Sequence, residues 1–448
     1  MSRDGIRPDE RLFPLLSEAG RAMLARLCEH PAAPIYRNRS GHRLVAEDIP
    51  LLRDFTAEVL AARLGWHNAP DWLADFVTDA YQRVPGYRAR GPVPARFTDI
   101  PTISRADLSR NITRFVPDDL PLDRLIEYST SATTGHPLKL PSHPRIAASY
   151  LAFHRRALAH FGIELKASKG DVSVVLAGFQ RRCFTYVSVT PLLDEAGLAK
   201  INLHPADWHH PDDRARYLDA LAPELITGDP LSLSELAQLP MQHIPRALLS
   251  TSMAMSDGMR AQLQARFGCP VLDIYSMNEA GPIAVYLPEA GGHLLLQNRL
   301  YVETLLPDGC PAAPGERGEI TLSGGFNFYL PLLRYRTGDW AELAMTPQGP
   351  LLRDFHGRPP VRFQTLAGQW LNNVDVSHCL APFALPQYTL HQHADLGLTL
   401  RLRSTEQATA AREALLKLFG TGLRIEVAPL EAQDKVIQYT SELAPPLA

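Results

Sequence analysis

Short strand-like runs alternate with helical runs between residues 126 and 283, and this alternation limits the possible folds more than any other feature of the chain. Apolar runs of strand length occur at 172–179, 225–227, 247–251 and 271–275. Runs with helical periodicity occur at 145–160, 212–221, 231–239 and 256–267. Strands that are connected through helices run parallel in one sheet. We therefore predict an α/β fold for this part of the chain.

The segments before and after this region have different patterns. Residues 1–125 are mainly helical with Pro-rich turns, whereas 293–343 is strand after strand with Gly, Pro and Asp turns, which predicts an antiparallel or barrel-like subdomain. A turn-rich break is expected at 354–360, and a strand, a helix and a strand follow at 398–403, 406–419 and 423–428. We predict a large domain over 1–356 and a small α/β domain over 357–448.

Composition excludes several classes of protein. The 448 residues carry a formal net charge of −3, with scattered charges, so neither a nucleic-acid surface nor a membrane patch is expected. The 5 Cys lie far apart without a CxxC pair, which favours free thiols in a reducing compartment. No run approaches the roughly 18 apolar residues of a membrane span, and the charged N-terminus does not resemble a secretory signal. A soluble, cytoplasmic enzyme is the expectation.

The first motif is YSTSATTGHP at 128–137. Clustered hydroxyl and backbone N–H groups in a tight turn can cradle phosphate oxygens. The motif lacks the Gly-Lys-Ser/Thr of a Walker A loop. A solvated Ser/Thr turn is the alternative.

The second motif is DIYSMNE at 273–279, at the end of a predicted buried strand. Ligands bind at the carboxyl ends of strands in α/β folds. The ring of Tyr275 can stack on a purine, and the carboxylate of Glu279 can hold Mg²⁺ beside phosphates. A strand that ends in a surface acid is the alternative.

The third motif is LRYRTGDW at 333–340. Asp339 follows a glycine turn, and its carboxylate can accept hydrogen bonds from both hydroxyls of a ribose. The alternative is a charged hairpin turn.

The order and spacing of these motifs resemble the adenylate-forming (AMP-binding, ANL) superfamily, in its phenylacetate–CoA ligase-like branch. The three motifs are similar to its TSGTTGxP, YGxTE and YRTGD signatures. Gly357-Arg358 resembles the GRxDD junction between its two domains, and Lys435 resembles its C-terminal catalytic lysine. The resemblance covers roughly residues 95–440.

The resemblance implies an acid–thiol ligase that uses ATP and Mg²⁺ to form an acyl-adenylate, releases pyrophosphate and transfers the acyl group to a thiol, with CoA as the expected acceptor. It implies catalytic roles for Lys435, Glu279 and Thr134, with Glu279 as the Mg²⁺ ligand. The residues that it assigns to ATP and AMP are Thr130, Ser131, Thr133, Thr134, Gly135, Thr251, Ser252, Tyr275, Ser276, Asn278, Asp339 and Arg358. Those that it assigns to the acid pocket are Gly178, Phe179, Arg181, Arg182, Ile274, Ala280 and Gly281.

The chain departs from the family pattern at several positions, among them Leu138, where many relatives carry Lys, and Ser276 and Asn278, which replace Gly and Thr of the second signature. Ala132 replaces the middle glycine of the phosphate loop, and Pro360 stands at the position of the interdomain hinge. Because proline fixes φ, it stiffens a hinge. We expect the hinge to shift toward Gly357 or Val361.

Two alternative functions stay open. The acyl group could pass to a carrier protein or an amine, or the chain could be a catalytically degenerate nucleotide- or acyl-binding protein. Arg181 and Arg182 could pair with an anionic substrate group, or they could simply face solvent. His204, His209 and His210 are interpreted as ordinary loop histidines. The oligomeric state, a homodimer included, stays open.

Overall fold

The computed structural model describes residues 9–65, 69–129, 138–357, 361–431 and 436–443. The chain divides into two compact units, each built from several segments. Unit 1 comprises 1–58, 154–274 and 381–387, and unit 2 comprises 59–153, 275–380 and 388–448. The division into domains over 1–356 and 357–448 stays a prediction.

Eleven α-helices form within the described residues. They are α1 (Glu18–Glu29), α2 (Asp48–Ala61), α3 (Trp72–Arg83), α4 (Pro85–Arg88), α5 (Arg105–Arg110), α6 (Pro144–Ala159), α7 (Asp213–Leu221), α8 (Pro230–Ala237), α9 (Asp257–Phe267), α10 (Asn373–Leu380) and α11 (Ala408–Phe419). None of these helices combines the length and the apolar content that crossing a bilayer requires.

The described residues also form twenty-one strands. They are β1 (Ile103–Ser104), β2 (Ile126–Ser129), β3 (Lys139–Ser142), β4 (Val172–Gly178), β5 (Tyr186–Thr190), β6 (Ala196–Asn202), β7 (Leu225–Gly228), β8 (Ala247–Thr251), β9 (Val271–Met277), β10 (Gly281–Leu287), β11 (Gly292–Leu295), β12 (Leu300–Leu305), β13 (Arg317–Gly324), β14 (Leu332–Thr346), β15 (Gly349–Gly357), β16 (Arg362–Gln364), β17 (Trp370–Asn372), β18 (Tyr388–Gln392), β19 (Leu398–Leu402), β20 (Ile425–Pro429) and β21 (Tyr439–Ser441).

Unit 1 contains the predicted parallel sheet. Its strands lie in the order β9-β8-β7-β4-β6-β5, and each neighbouring pair is parallel except β5 with β6. The predicted strands and helices of this region agree with the observed bounds to within two residues. The prediction missed β5 and β6, since β6 (AGLAKIN) mixes weak strand formers with a lysine and owes its strand conformation to its neighbours.

Helix α9 shows how local sequence sets these elements. The hydroxyl of Ser256 accepts a hydrogen bond from the backbone N–H of Met259 and caps the N-terminus. Gly268 ends the helix in the left-handed conformation that glycine adopts without steric cost. Met259, Leu263 and Phe267 recur at helical spacing and are buried in the core of unit 1.

Unit 2 contains the predicted antiparallel region. Its strands lie in the order β12-β13-β14-β15-β11-β10, all antiparallel, and β1 lies parallel to β14. The turn predicted from residue 354 was wrong over 354–357, because β15 continues there. Its last residues stay in the ladder with β14, where Gly357 pairs with Asp339. The remaining residues of the predicted break, 358–360, lie outside the described part.

The C-terminal segment forms a separate four-stranded sheet in the order β20-β19-β18-β21. On β19, Leu398, Leu400 and Leu402 are buried, whereas Arg401 is exposed. The three leucines share one face of the strand, in a core, whereas the opposite face carries the buried Thr399 and the exposed Arg401. The predicted strand–helix–strand order of this segment is confirmed by β19, α11 and β20.

A buried ion pair connects β14 to β12, and its arginine also binds the segment before β1. Arg334 is 3% exposed, and its Nε lies 3.3 Å from Oε2 of Glu303. One nitrogen of its guanidinium, Nη1, also donates to the backbone carbonyls of Thr98 (2.5 Å) and Ile100 (2.8 Å). Burial raises the pKa of the Glu303 carboxyl, and the guanidinium opposes this shift. A buried charge that loses its partner is costly, so this pair makes the folded state depend on Arg334.

Replacing Arg334 by methionine should lower the free energy of unfolding by about 3–5 kcal/mol, because Glu303 and two carbonyls would stay buried without their donor. Denaturant unfolding of both proteins measures the change. Arg96→Met is the matched control, since Arg96 pairs with Asp99 at the exposed surface; we expect it to leave the midpoint nearly unchanged. Equal effects of the two substitutions would contradict the assignment.

Candidate active site

Glu279 lies in the turn between β9 and β10 and is 5% exposed. Its Oε1 accepts hydrogen bonds from Nη1 of Arg105 at 2.9 Å and from the hydroxyl of Tyr335 at 3.2 Å. Its Oε2 has no hydrogen-bond partner within the described part of the chain. Burial, and then Glu279, raise the pKa of Tyr335 far above its usual range, so the phenol stays protonated and donates. The carboxylate is therefore fixed by one oxygen, with the other available.

Tyr275 makes the corresponding contact with Asp339. The Tyr275 hydroxyl donates to Oδ2 of Asp339 at 2.8 Å, and burial together with this carboxylate raises the pKa of the phenol well above its usual range. The Tyr275 ring packs on Phe355 at a centroid distance of 4.4 Å. Two of the predicted nucleotide ligands are thus in direct contact. The stacking of the Tyr275 ring on a purine stays a prediction.

These contacts connect the second and third motifs reciprocally. A tyrosine of the second motif holds the carboxylate of the third, and Tyr335 of the third holds Glu279 of the second. Sequence analysis gave no role to Tyr335, although its even spacing from Asp339 could have placed both on one face of a strand. Arg105 carries no such signal, because 174 positions separate it from Glu279.

Side chains of β13 and β14 hold the backbone around Gly338, just before Asp339. Glu319 pairs with Arg336 and accepts a hydrogen bond from the backbone N–H of Gly338 at 3.0 Å. Thr337 donates to the carbonyl of Ile320 at 2.9 Å and accepts from the backbone N–H of Asp339 at 3.0 Å. Gly338 has φ 82°, a conformation that favours glycine. The Asp339 carboxylate is therefore presented from a part of β14 whose backbone is held on both sides of Gly338.

A small cavity in unit 2 adjoins Glu279. Gly281 contributes to its wall at φ 70°, and a Cβ there would lie 2.6 Å from the ring of Phe326 and 3.3 Å from that of Tyr150. Only glycine fits this position, so the aromatic wall and the backbone are matched. The lining residues are Tyr128, Leu140, Pro141, Ser142, Ile146, Tyr150, Asn278, Glu279, Ala280, Gly281, Phe326 and Asn327.

The flanks of the predicted phosphate loop form a hairpin. Strand β2 pairs antiparallel with β3, with Ser129 opposite Lys139. Tyr128, just before the loop, lines the cavity together with Glu279. Lys139 is exposed and lies 3.3 Å from the carboxylate of Glu127. The hairpin therefore brings the start of the first motif beside the second.

Several predicted site residues belong to unit 1. Thr251, the last residue of β8, pairs with Ile274 in the middle of β9, and Ile274 is 2% exposed. Ser252 follows with φ 73°. Gly178 ends β4, the ring of Phe179 stacks on that of His204 at 5.9 Å, and Arg181 and Arg182 are exposed. The roles of these residues stay predictions.

The nucleotide-binding candidates Ser276 and Asn278 lie in unit 2, where Ser276 is half-buried and Asn278 is exposed.

Other predicted residues lie outside the described part of the chain. They belong to the phosphate loop, to the junction with its hinge proline, and to the predicted catalytic lysine. These predicted residues are Thr130, Ser131, Thr133, Thr134, Gly135, Arg358, Pro360 and Lys435.

Asp273 is a buried acid that sequence analysis left without a role. It is 7% exposed at the start of the second motif, and its Oδ2 accepts from the backbone N–H of Met255 at 3.4 Å. Arg260 lies 4.0 Å away. Burial raises the pKa of this carboxyl to about 7, while Arg260 opposes the shift. An aspartate inside an apolar strand was the available signal.

Asp273 should make stability fall with rising pH. An unfolded aspartate ionises at about pH 4, so the folded chain holds an extra proton up to about pH 7. The contribution of Asp273 to the free energy of unfolding therefore decreases as the pH rises through this window, and it is constant at higher pH. The side chain in Asp273→Asn stays neutral. The free energy of unfolding of this variant, relative to that of the wild type, should therefore increase by about 1–3 kcal/mol between about pH 5 and about pH 8.

Denaturant unfolding at both pH values measures this gain. Asp54→Asn, at an exposed position on α2, is the control and should behave like the wild type. Parallel pH profiles of stability for wild type and Asp273→Asn would show that burial does not raise the pKa of this carboxyl.

Comparison with known proteins finds partial sequence relatives and a solved structure with a similar fold. No family model matches the chain. Protein CapK of Staphylococcus aureus is 20% identical over 258 residues, or 56% of this chain and 54% of its own length. Phenylacetate-coenzyme A ligase of Escherichia coli (strain K12) is 34% identical over 92 residues, or 20% of this chain and 21% of its own length. The chain thus spans about half of the first relative and about a fifth of the second.

A crystal structure of 2-hydroxyisobutyryl-CoA ligase in the postadenylation state, in complex with R3-HIB-AMP, covers far more of the chain. It matches with a TM-score of 0.61 and 15% identity over 89% of this chain and 90% of that one. At this identity the likeness establishes the fold. The resemblance inferred from the motifs is confirmed at that level: this chain has the mixed α/β fold of the adenylate-forming CoA ligases.

Proposed function

We propose that this protein activates a carboxylic acid with ATP as an acyl-adenylate and then transfers the acyl group to CoA. The reciprocal contact between the two motifs carries this proposal. Buried phenols hold the two carboxylates that the reaction needs, Asp339 for the ribose and Glu279 for the metal side of the phosphates. The fold supports the same reaction class.

In the first step, a carboxylate oxygen of the acid attacks the α-phosphorus of ATP, and the bond to the pyrophosphate oxygen breaks. Asp339 accepts hydrogen bonds from the ribose hydroxyls and so fixes the nucleotide. Lys435 and the loop at 130–137 supply cation and N–H donors to the phosphates. Positioning and preorganised charge of this kind provide most of the rate in such transfers.

The residues present fit Mg²⁺. Glu279 offers a carboxylate oxygen with no partner among the described residues, at the wall of the cavity. Mg²⁺ is usually held by one or two carboxylates together with phosphate oxygens and waters. Glu279 would hold the ion, which neutralises charge on the phosphates when bound. Arg105, which contacts the other oxygen, orients the carboxylate.

In the second step, the sulfur of CoA attacks the acyl carbonyl carbon, and AMP leaves with the electron pair of the broken C–O bond. The alternative acceptors, a carrier protein or an amine, would attack the same carbon. The aromatic wall formed by Tyr150 and Phe326 favours an acid with an apolar body. We place this protein in the cytoplasm, where ATP and CoA are supplied.

Mass spectrometry tests the proposal directly. Purified protein is incubated with ATP, Mg²⁺ and a pool of aromatic and aliphatic acids, with and without CoA. We expect an acyl-AMP that becomes an acyl-CoA when CoA is present. An acyl-AMP that CoA leaves unchanged would redirect the search to carrier proteins and amines, and ATP binding without any adenylate would favour a degenerate binding protein.

Two lysine variants make this experiment specific. Lys435→Ala should lose adenylate formation by at least about a hundredfold and keep ATP binding, because a transition-state cation is removed. Lys417→Ala, at an exposed position of α11, is the matched control and should keep full activity.

The Tyr275–Asp339 contact predicts a selective effect on nucleotide binding. Tyr275→Phe should raise the KM for ATP about tenfold, because the ribose-binding carboxylate loses its donor, and should change kcat less. Pyrophosphate release under steady-state conditions measures both constants.

The control is Tyr81→Phe in the same unit, since the Tyr81 hydroxyl has no hydrogen-bond partner among the described residues. It should leave both constants unchanged. If Tyr275→Phe also leaves the KM for ATP unchanged, Asp339 does not depend on this hydroxyl.

A further inference from the structure

Three side chains with metal-binding atoms converge on the solvent face of the C-terminal sheet. His391 lies on β18, His393 follows two residues later, and Glu442 follows β21. The spacing of two places both histidines on one face of the strand. One ligand atom from each residue lies within 4.8 Å of the others.

The facing atoms are identified by individual contacts. Nε2 of His391 lies 3.3 Å from Oε1 of Glu442, and Nδ1 of His393 lies 3.9 Å from the same oxygen. In a tetrahedral site with metal–ligand distances of about 2.0–2.1 Å, neighbouring ligand atoms are about 3.3 Å apart. The observed separations are close to this value, and the partly exposed side chains can close the difference by small rotations.

The other ring nitrogen of each histidine is already held. Nδ1 of His391 lies 2.8 Å from the hydroxyl of Thr440, and Nε2 of His393 lies 2.8 Å from that of Thr399. Metal-binding histidines almost always use their second nitrogen in this way, which fixes the tautomer and the ring direction. A simple histidine–glutamate ion pair does not require both outer nitrogens to be held.

The carboxylate is oriented as well. Oε2 of Glu442 accepts a hydrogen bond from the backbone N–H of Ala394 at 2.7 Å, which leaves Oε1 directed at the two imidazoles. Each of the three residues is thus held through one atom and directs its other atom toward the shared centre.

We propose that His391, His393 and Glu442 form a binding site for one divalent transition-metal ion of the zinc class. Imidazole and carboxylate ligands suit Zn²⁺ and its neighbours, whereas Mg²⁺ prefers oxygen alone. The ion joins β18 to the end of β21, which begins four positions after Lys435. This site lies outside the residues assigned to adenylation, and its occupancy does not depend on that activity.

Metal binding to the full-length, chelator-treated protein tests the site. Zn²⁺ is titrated in competition with a chromophoric indicator, and we expect one tight equivalent. His391→Gln and Glu442→Gln should each weaken this equivalent by at least about tenfold. Thr399→Val, which removes only the hydroxyl that holds His393, should weaken it by about tenfold.

The double variant His209→Gln/His210→Gln is the matched control, because it removes two exposed imidazoles elsewhere and should bind Zn²⁺ like the wild type. Thermal unfolding without metal verifies that all variants fold, and with Zn²⁺ only proteins with an intact site should gain stability. Zinc bound equally by wild type and His391→Gln, or not bound by either, would overturn the proposal.

Discussion

The reciprocal hydrogen bonds between two tyrosines and two carboxylates are the constraint on which the candidate active site depends. Tyr275 holds Asp339, and Tyr335 holds Glu279, so neither acid can move without disturbing the other motif. Both phenols are buried, and their raised pKa values keep them as donors. These hydrogen bonds fix the direction in which each carboxylate presents its oxygens, and Arg105 adds a charged donor on the Glu279 side.

Strand β14 carries the third motif and positions its residues for these contacts. Successive residues of the third motif point to different partners: Arg334 to the buried Glu303, Tyr335 to Glu279, and Arg336 to Glu319. Pairing with β13 and β15 holds the strand on both sides. A run that looks like a charged turn in the sequence is thus a strand whose charges are individually paired. Its structural and chemical roles are carried by adjacent residues.

The proposed metal site uses the same physical device in a different sheet. There too, each chemically active group has one atom held by a neighbour outside the site and one atom directed into the site, with threonine hydroxyls in place of phenols for the two histidines. Preorganisation of this kind reduces the entropy lost on binding. The two sites differ in exposure, since Glu279 is buried and Glu442 is exposed. Binding at the C-terminal sheet therefore needs no opening of a core.

The sequence by itself determined the fold class and, apart from β5 and β6, the strand and helix order of the parallel region, because periodicity is a local property of the chain. Motif order, which is also local, singled out Glu279, Tyr275 and Asp339 as candidate site residues. Only the tertiary structure decided which groups hold these acids. Arg105 and Tyr335 reach Glu279 through pairings between distant segments, and no spacing in the sequence encodes such pairings. The same reason applies to β6, to the extension of β15 through Gly357, and to the meeting of His391 with Glu442. In each case long-range pairing, rather than local preference, set the conformation.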